Sequence, residues 1–196
     1  MPETFEEPEF WDSRYRAGGA RWELDAAPGQ FLRWMESRPA RGSVLIPGCG
    51  SGLEITALAY AGWRVTAIDF APTAIDRARA RADGSGATLI LGDFFKHPFA
   101  PGSFDVVYER TFLTALSPDC WPACAARYAE LLAPEGVVAG YCLYGHEPEP
   151  PPFFQPPDAP ALAAHFQLQE DAPSEDALPF FGARERWQVW SKRPAQ

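Results

Sequence analysis

The residues best suited to chemistry are three glycines and one acid. Gly48, Gly50 and Gly52 stand in Pro47-Gly48-Cys49-Gly50-Ser51-Gly52, and Asp69 closes Val65-Thr66-Ala67-Ile68-Asp69. A glycine turn lets a ligand approach the backbone where a side chain would block it. A carboxylate about 20 residues beyond such a turn stands where a ribose presents its hydroxyls. Together they describe a site for a nucleoside-containing ligand. The dinucleotide fingerprint G-x-G-x-x-G would need glycine at Leu53; here the third glycine falls early, giving G-x-G-x-G. A pyrophosphate-binding turn sets its ligand on a helix N-terminus. The shorter turn suits a ligand without phosphates, such as S-adenosylmethionine, whose amino-acid end would meet the backbone amides of the turn. Tight strand–helix turns also use glycine for structural reasons, and helix capping is the competing job for Asp69.

Two more clusters follow. In Gly92-Asp93-Phe94-Phe95, Asp93 can accept from an adenine amino group while Phe94 packs the ring; the plain alternative is a loop aspartate and a core phenylalanine. In Tyr108-Glu109-Arg110, Arg110 either faces the cofactor or an electron-rich acceptor, or forms with Glu109 a surface ion pair worth ~0–1 kcal/mol. Trp11, Tyr15 and Trp22 suit a lid over the cofactor, because an aromatic face near a sulfonium adds ~0.5–2 kcal/mol. They serve equally to pack an N-terminal helix on a sheet. Tyr144 and His146 follow a strand and, with Arg110, are candidates to touch an acceptor. Cys120 and Cys124 share a helix face without nearby histidines, which is not a zinc pattern, and no metal is expected. Cys49 is expected to pack rather than react.

The elements that must position these residues alternate between strand and helix. Apolar runs predict strands over 44–46, 64–68, 88–91, 104–108 and 137–144, and helices over 28–37, 53–61, 73–82, 111–116 and 118–132. Such alternation implies parallel strands with right-handed crossovers. The stretch before residue 28 reads as irregular, and Pro134-Glu135-Gly136 reads as a break before a strand. Residues 183–192 alternate as a final strand, antiparallel to one near 166–168. Seven prolines fall within residues 147–160, too many for a helix or a central strand. The expected organisation is one domain over 1–196, with an aromatic cap at 1–40 and a proline-rich, substrate-side loop at 145–160.

Composition narrows the partners. The 196 residues are 46% hydrophobic and 22% charged, as in ordinary globular proteins, with a net charge of −9. That balance argues against a phosphate-backbone partner and an anionic membrane surface. No apolar run approaches the ~20 residues of a membrane span. The four cysteines form no paired framework, which points to a reducing, cytoplasmic setting. No unused apolar stripe stands out, which favours a monomer.

Taken together, Phe10-Trp11-Asp12-Ser13-Arg14-Tyr15, Pro47-Gly48-Cys49-Gly50-Ser51-Gly52, Gly92-Asp93-Phe94-Phe95, Tyr108-Glu109-Arg110 and Glu185-Arg186-Trp187 resemble the thiopurine S-methyltransferase family, leaning toward its thiol and halide methyltransferase relatives. The resemblance runs from residue 10 to 190. It implies a Rossmann-like α/β fold of the class I methyltransferases: a seven-stranded sheet, mostly parallel, with an antiparallel C-terminal strand and helices on both faces. It implies S-adenosylmethionine as cofactor and S-adenosylhomocysteine as product. It carries cofactor contacts onto Trp11, Gly48, Asp69, Phe94 and Arg110; Tyr15, Trp22, Gly50, Gly52, Phe70, Asp93 and Glu109 join them as their neighbours. Tyr15 stands where relatives often have a second tryptophan, and Asp69 where the thiopurine enzymes prefer glutamate. The acceptor is expected to be a thiol; halide, chalcogen and oxygen acceptors, a non-catalytic cofactor-binding module, and a nicotinamide-dependent oxidoreductase are the alternatives.

Overall fold

The structure is a computed structural model that describes residues 7–145, 153–157, 159–179 and 181–193. The chain divides into two compact units, Met1–His97 and Pro98–Gln196. The first contains α1 (Pro8–Arg16), α2 (Gly29–Ser37), β1 (Ser43–Pro47), α3 (Ile55–Tyr60), β2 (Arg64–Asp69), α4 (Pro72–Arg81) and β3 (Thr88–Leu91). The second contains β4 (Phe104–Arg110), α5 (Phe112–Ala115), α6 (Trp121–Leu131), β5 (Leu132–Leu143), β6 (Phe166–Pro173) and β7 (Glu185–Lys192). Strand order in the seven-stranded sheet is β3-β2-β1-β4-β5-β7-β6. β1 pairs with β2, β2 with β3, and β4 with β5, all parallel; β7 runs antiparallel to both β5 and β6.

The sequence accounts for this directly. Every residue of β1 is buried, and an unbroken apolar run such as Val44-Leu45-Ile46 belongs to a parallel strand covered on both faces. α4 begins at Pro72, where the missing N–H is no loss. It buries Ala74, Ile75 and Ala78 and sets Arg79 and Arg81 in its last turn, where the helix dipole favours cations.

Four expectations needed correction. Residues 8–16 are helical, not irregular: Pro8 opens α1, which buries Phe10, Asp12 and Tyr15. The helix expected over 118–132 is a 3-10 turn, Pro118–Cys120, followed by α6. Pro134-Glu135-Gly136 lies inside β5, where the β4–β5 register shifts between Phe104 and Val106, so the proline sits at an irregularity of the ladder. β6 extends to Pro173, well past the short segment expected near 166–168.

Candidate cofactor site

The glycine turn follows β1. Gly48, Gly50 and Gly52 have φ of +56°, +54° and +72°, a region that glycine enters without the Cβ penalty. A Cβ on Gly50 would lie 2.7 Å from Tyr15 Oη and 3.1 Å from Glu23 Oε1. One on Gly52 would lie 2.6 Å from Ile55 Cδ1 and 3.0 Å from Ala78 Cβ, so the third glycine lets α4 pack on the turn.

The backbone amides from Cys49 to Gly52 are engaged within the protein. Cys49 N donates to Ile68 O at 3.1 Å and Gly52 N to Cys49 O at 3.0 Å. Gly50 N donates to Asp69 Oδ2 and Ser51 N to Glu23 Oε1, both at 2.9 Å. The side chains set against these four amides, Asp69 and Glu23, are both acceptors. A pyrophosphate would meet no available amide from Cys49 to Gly52, which counts against a dinucleotide. For the amino-acid end of a ligand to bind those amides, as expected, it would have to exchange with these bonds.

Asp69 ends β2 with 8% of its surface exposed. Its Oδ1 accepts from Ala71 N at 2.9 Å, as Oδ2 does from Gly50 N. Burial pushes its pKa up to about 6, against the downward pull of the Ala71 and Gly50 amides. A carboxylate has about four acceptor positions, so two bonds to the backbone leave room for ribose hydroxyls. Capping and ligand binding, rival readings from the sequence, are compatible at this residue.

The aromatic segment is tied to α4 by two bonds of opposite sense. Asp12 Oδ1 accepts from Thr73 N at 2.6 Å, satisfying an amide at the start of α4. Arg77 Nη2 donates to Tyr15 O at 2.6 Å. Tyr15 is buried and packs with Ala71 and Ala74, against which Trp11, Trp22 and Phe70 also lie. Trp22 Nε1 donates to Tyr15 Oη at 3.2 Å, and the Trp22 ring meets Trp11 edge-on at 5.3 Å between centroids. Burial, with the negative charge of Asp69, keeps the Tyr15 hydroxyl protonated well above its ordinary range. On the far side of the turn, Arg81 Nη1 donates to Ser51 O at 3.0 Å and to Ser51 Oγ. Asp12, Glu23, Arg77 and Arg81 were not singled out from the sequence. Each acts on backbone far along the chain, and no local spacing marks such a bond.

After β3, Asp93 accepts from Phe95 N at 2.8 Å and pairs with Lys96 Nζ at 2.9 Å. Its partial burial acts to raise its pKa, but the Lys96 and Phe95 bonds outweigh it and the net direction is down. Phe94 is buried, edge-on to the more exposed Phe95. Cys49 is buried with its thiol pushed well up by burial and the Asp69 charge, a packing residue as expected.

The second unit carries Glu109, Arg110, Tyr144 and His146. Glu109 is 1% exposed. Its Oε2 accepts from Tyr128 Oη at 2.7 Å and its Oε1 from Leu113 N at 3.0 Å. Thr111 between them takes φ of +61°, uncommon for a β-branched residue. Glu109 thus holds α5 after a left-handed step, with both carboxylate oxygens engaged within the protein. Arg110 pairs not with Glu109 but with Glu185, Nη2 to Oε1 at 3.2 Å, with side chains 8% and 0% exposed. Its Nη2 also donates to Asp176 O at 3.2 Å, and its guanidinium lies 4.3 Å over the Tyr141 ring. In place of the surface pair with Glu109 there is a buried pair with Glu185. Tyr144 Oη donates to Gln188 Oε1 at 2.9 Å. His146 and half of the proline-rich loop lie outside the described residues.

Burial pushes Glu109 up to about 7, against the pull of Tyr128 and the Leu113 amide. A native pKa above the ordinary 4.5 stabilises the fold fully below pH 4.5, and that stabilisation is lost as pH rises through about 7. Urea unfolding at pH 5 and pH 8 should show the wild type losing more stability than Glu109→Gln, by roughly 3 kcal/mol. Equal losses in the two proteins would contradict a native carboxyl group that is neutral at pH 5.

Among the described residues no group of three or more His, Cys, Asp or Glu is placed to hold a metal ion. No described helix is long and apolar enough to cross a membrane.

A mostly parallel sheet ending in an antiparallel pair, with a glycine turn after β1 and an acid closing β2, is the fold of the class I S-adenosylmethionine-dependent methyltransferases. The N-methyltransferase NodS of Bradyrhizobium japonicum, solved with S-adenosyl-L-homocysteine, shares the fold at a TM-score of 0.75 and 21% identity, over 96% of this chain and 99% of that one. The chain belongs to the thiopurine S-methyltransferase family, whose profile matches residues 6–179. It is similar to thiocyanate methyltransferase 1 of Brassica oleracea, 29% identical over 77% of this chain and 69% of that protein. It is also similar to probable thiol methyltransferase 2 of Arabidopsis thaliana, 28% identical over 65% of this chain; the match spans only 58% of that relative's length.

Proposed function

We propose that this chain moves the methyl group of S-adenosylmethionine to a small thiol and releases S-adenosylhomocysteine. The observation that carries the reading is the glycine turn with every amide from Cys49 to Gly52 engaged, beside Asp69 and the Trp11–Tyr15–Trp22 cluster. Such a turn suits a cation-bearing nucleoside and repels a phosphate. When bound, the cofactor supplies a methyl group already activated on a positively charged sulfur.

In this reading the chain binds, orients and excludes water. Asp69 accepts ribose hydroxyls on its remaining lone pairs, Asp93 and Phe94 receive the adenine, and Trp11 and Trp22 offer ring faces to the sulfonium. Cys49, Cys124 and Cys142 do not suit a covalent nucleophile, since they are buried and burial pushes all three thiols up. An acceptor thiol is partly ionised near neutral pH and needs little help from a protein base. Positioning is the main lever, worth up to ~7–11 kcal/mol. Arg110, held by Glu185 and Asp176, contributes by fixing Tyr141.

The names of the thiol and thiocyanate methyltransferase relatives support a soft acceptor. The test is mass detection of methylated product from a panel of thiols, thiocyanate, halides, phenols and amines. Fastest turnover with a thiol supports the reading; product only from an oxygen or nitrogen acceptor overturns it. The reading extends to a monomer in a reducing, cytoplasmic setting, with no nucleic-acid or membrane partner. The four thiols are free and the net charge of −9 disfavours polyanions.

A further inference from the structure

The bond between Ser51 N and Glu23 Oε1 places a carboxylate directly against the glycine turn. Its position is set locally. Glu23 N donates to Ala20 O at 3.1 Å, and the preceding Trp22 is held by Tyr15. Gly50 keeps the space beside it open, since a Cβ there would come within 3.1 Å of Glu23 Oε1. Ser51 takes one of the acceptor positions of that carboxylate, which has about four. Asp69 and the buried Glu54 lie close enough that, with Glu23, all three bear on the Cys49 thiol. The side chains against the turn are thus acids, while its amides from Cys49 to Gly52 are consumed.

A carboxylate or phosphate arriving here would find acceptors facing it. An ammonium group carries three donors and no acceptor, which is the complement of that surface. On the reading that the ligand is S-adenosylmethionine, we infer that Glu23 anchors the α-ammonium of its amino-acid end, pre-oriented by Ser51 N–H. A charge-assisted bond of this kind is about twice as strong as a neutral one.

Glu23→Gln keeps an oxygen for Ser51 N and removes only the charge, which separates anchoring from support of the turn. Calorimetric titration of wild type and Glu23→Gln would use three probes. These are S-adenosylhomocysteine, its analogue with the α-amine replaced by hydrogen, and methylthioadenosine, which lacks the amino-acid arm. The expected result is a loss of tenfold or more for S-adenosylhomocysteine in the variant, with the other two probes unchanged within twofold. Equal loss for all three would overturn the anchor and leave Glu23 a support of the turn. Unchanged or tighter binding of S-adenosylhomocysteine would overturn it as well, and mark Glu23 as an occupant that the ligand displaces. Failure of the wild type to bind any probe would sink the cofactor reading itself, together with the anchor.

Discussion

Replacing Arg110 with alanine is expected to lower the unfolding free energy by about 3–5 kcal/mol, because it strands a charged partner in the interior. Glu185 has no side-chain exposure, and its Oε1 faces the Arg110 guanidinium. Burial already raises the Glu185 pKa, and Arg110 is the leading influence that opposes this. Ser174 Oγ donates to the other carboxylate oxygen at 2.8 Å but brings no charge. The substitution also removes the bond to Asp176 O and the cation over Tyr141. Chemical denaturation of the wild type, Arg110→Ala, and a double variant with Arg110→Met and Glu185→Gln measures the effect. The double variant should recover most of the loss, since a neutral pair leaves no buried charge. A single variant within 1 kcal/mol of the wild type would show that this pair is not buried in solution.

Asp69→Ala is expected to act on two levels. It leaves the amides of Gly50 and Ala71 without their acceptors, and a buried donor without a partner costs about 1–3 kcal/mol. It also frees the glycine turn, so binding of S-adenosylhomocysteine should weaken by well over tenfold even where the protein remains folded. Asp69→Asn should rescue little, because its amide nitrogen would face one of the two N–H groups. The measurements are a thermal or urea midpoint and a dissociation constant for each variant. A loss of affinity with no loss of stability would mean that Asp69 holds ligand without holding the turn. The native pKa of about 6 adds a signature. The contribution of Asp69 to wild-type stability is full below about 4 and declines as pH rises through about 6, and neither variant should retain that decline.

Much of this fold was legible because its central strands are buried. Val44-Leu45-Ile46 and Val65-Thr66-Ala67-Ile68 read as strands whatever surrounds them, and the glycines between them fix the turn. The N-terminal helix was not legible. Its charged residues dilute the apolar period, and two of its buried groups, Asp12 and Tyr15, are settled by Thr73 and Arg77 more than sixty residues away. The site divides in the same way. Asp69, the three glycines and the aromatic cluster were visible as types at a spacing. The direction in which their hydrogen bonds run was not. Whether a turn presents donors or acceptors depends on partners such as Glu23, which its own segment does not announce. Glu109 and Arg110 were found by position, but their adjacency in sequence suggested a mutual pairing that alternation along β4 forbids, since neighbours on a strand point to opposite faces.

The pair of bonds between α1 and α4 bears on how the rings can move. One bond joins an acid of α1 to the backbone of α4, and the other an arginine of α4 to the backbone of α1. Rotation about either attachment is blocked by the other. Carrying α1 as a body away from α4 would need both bonds broken, not one.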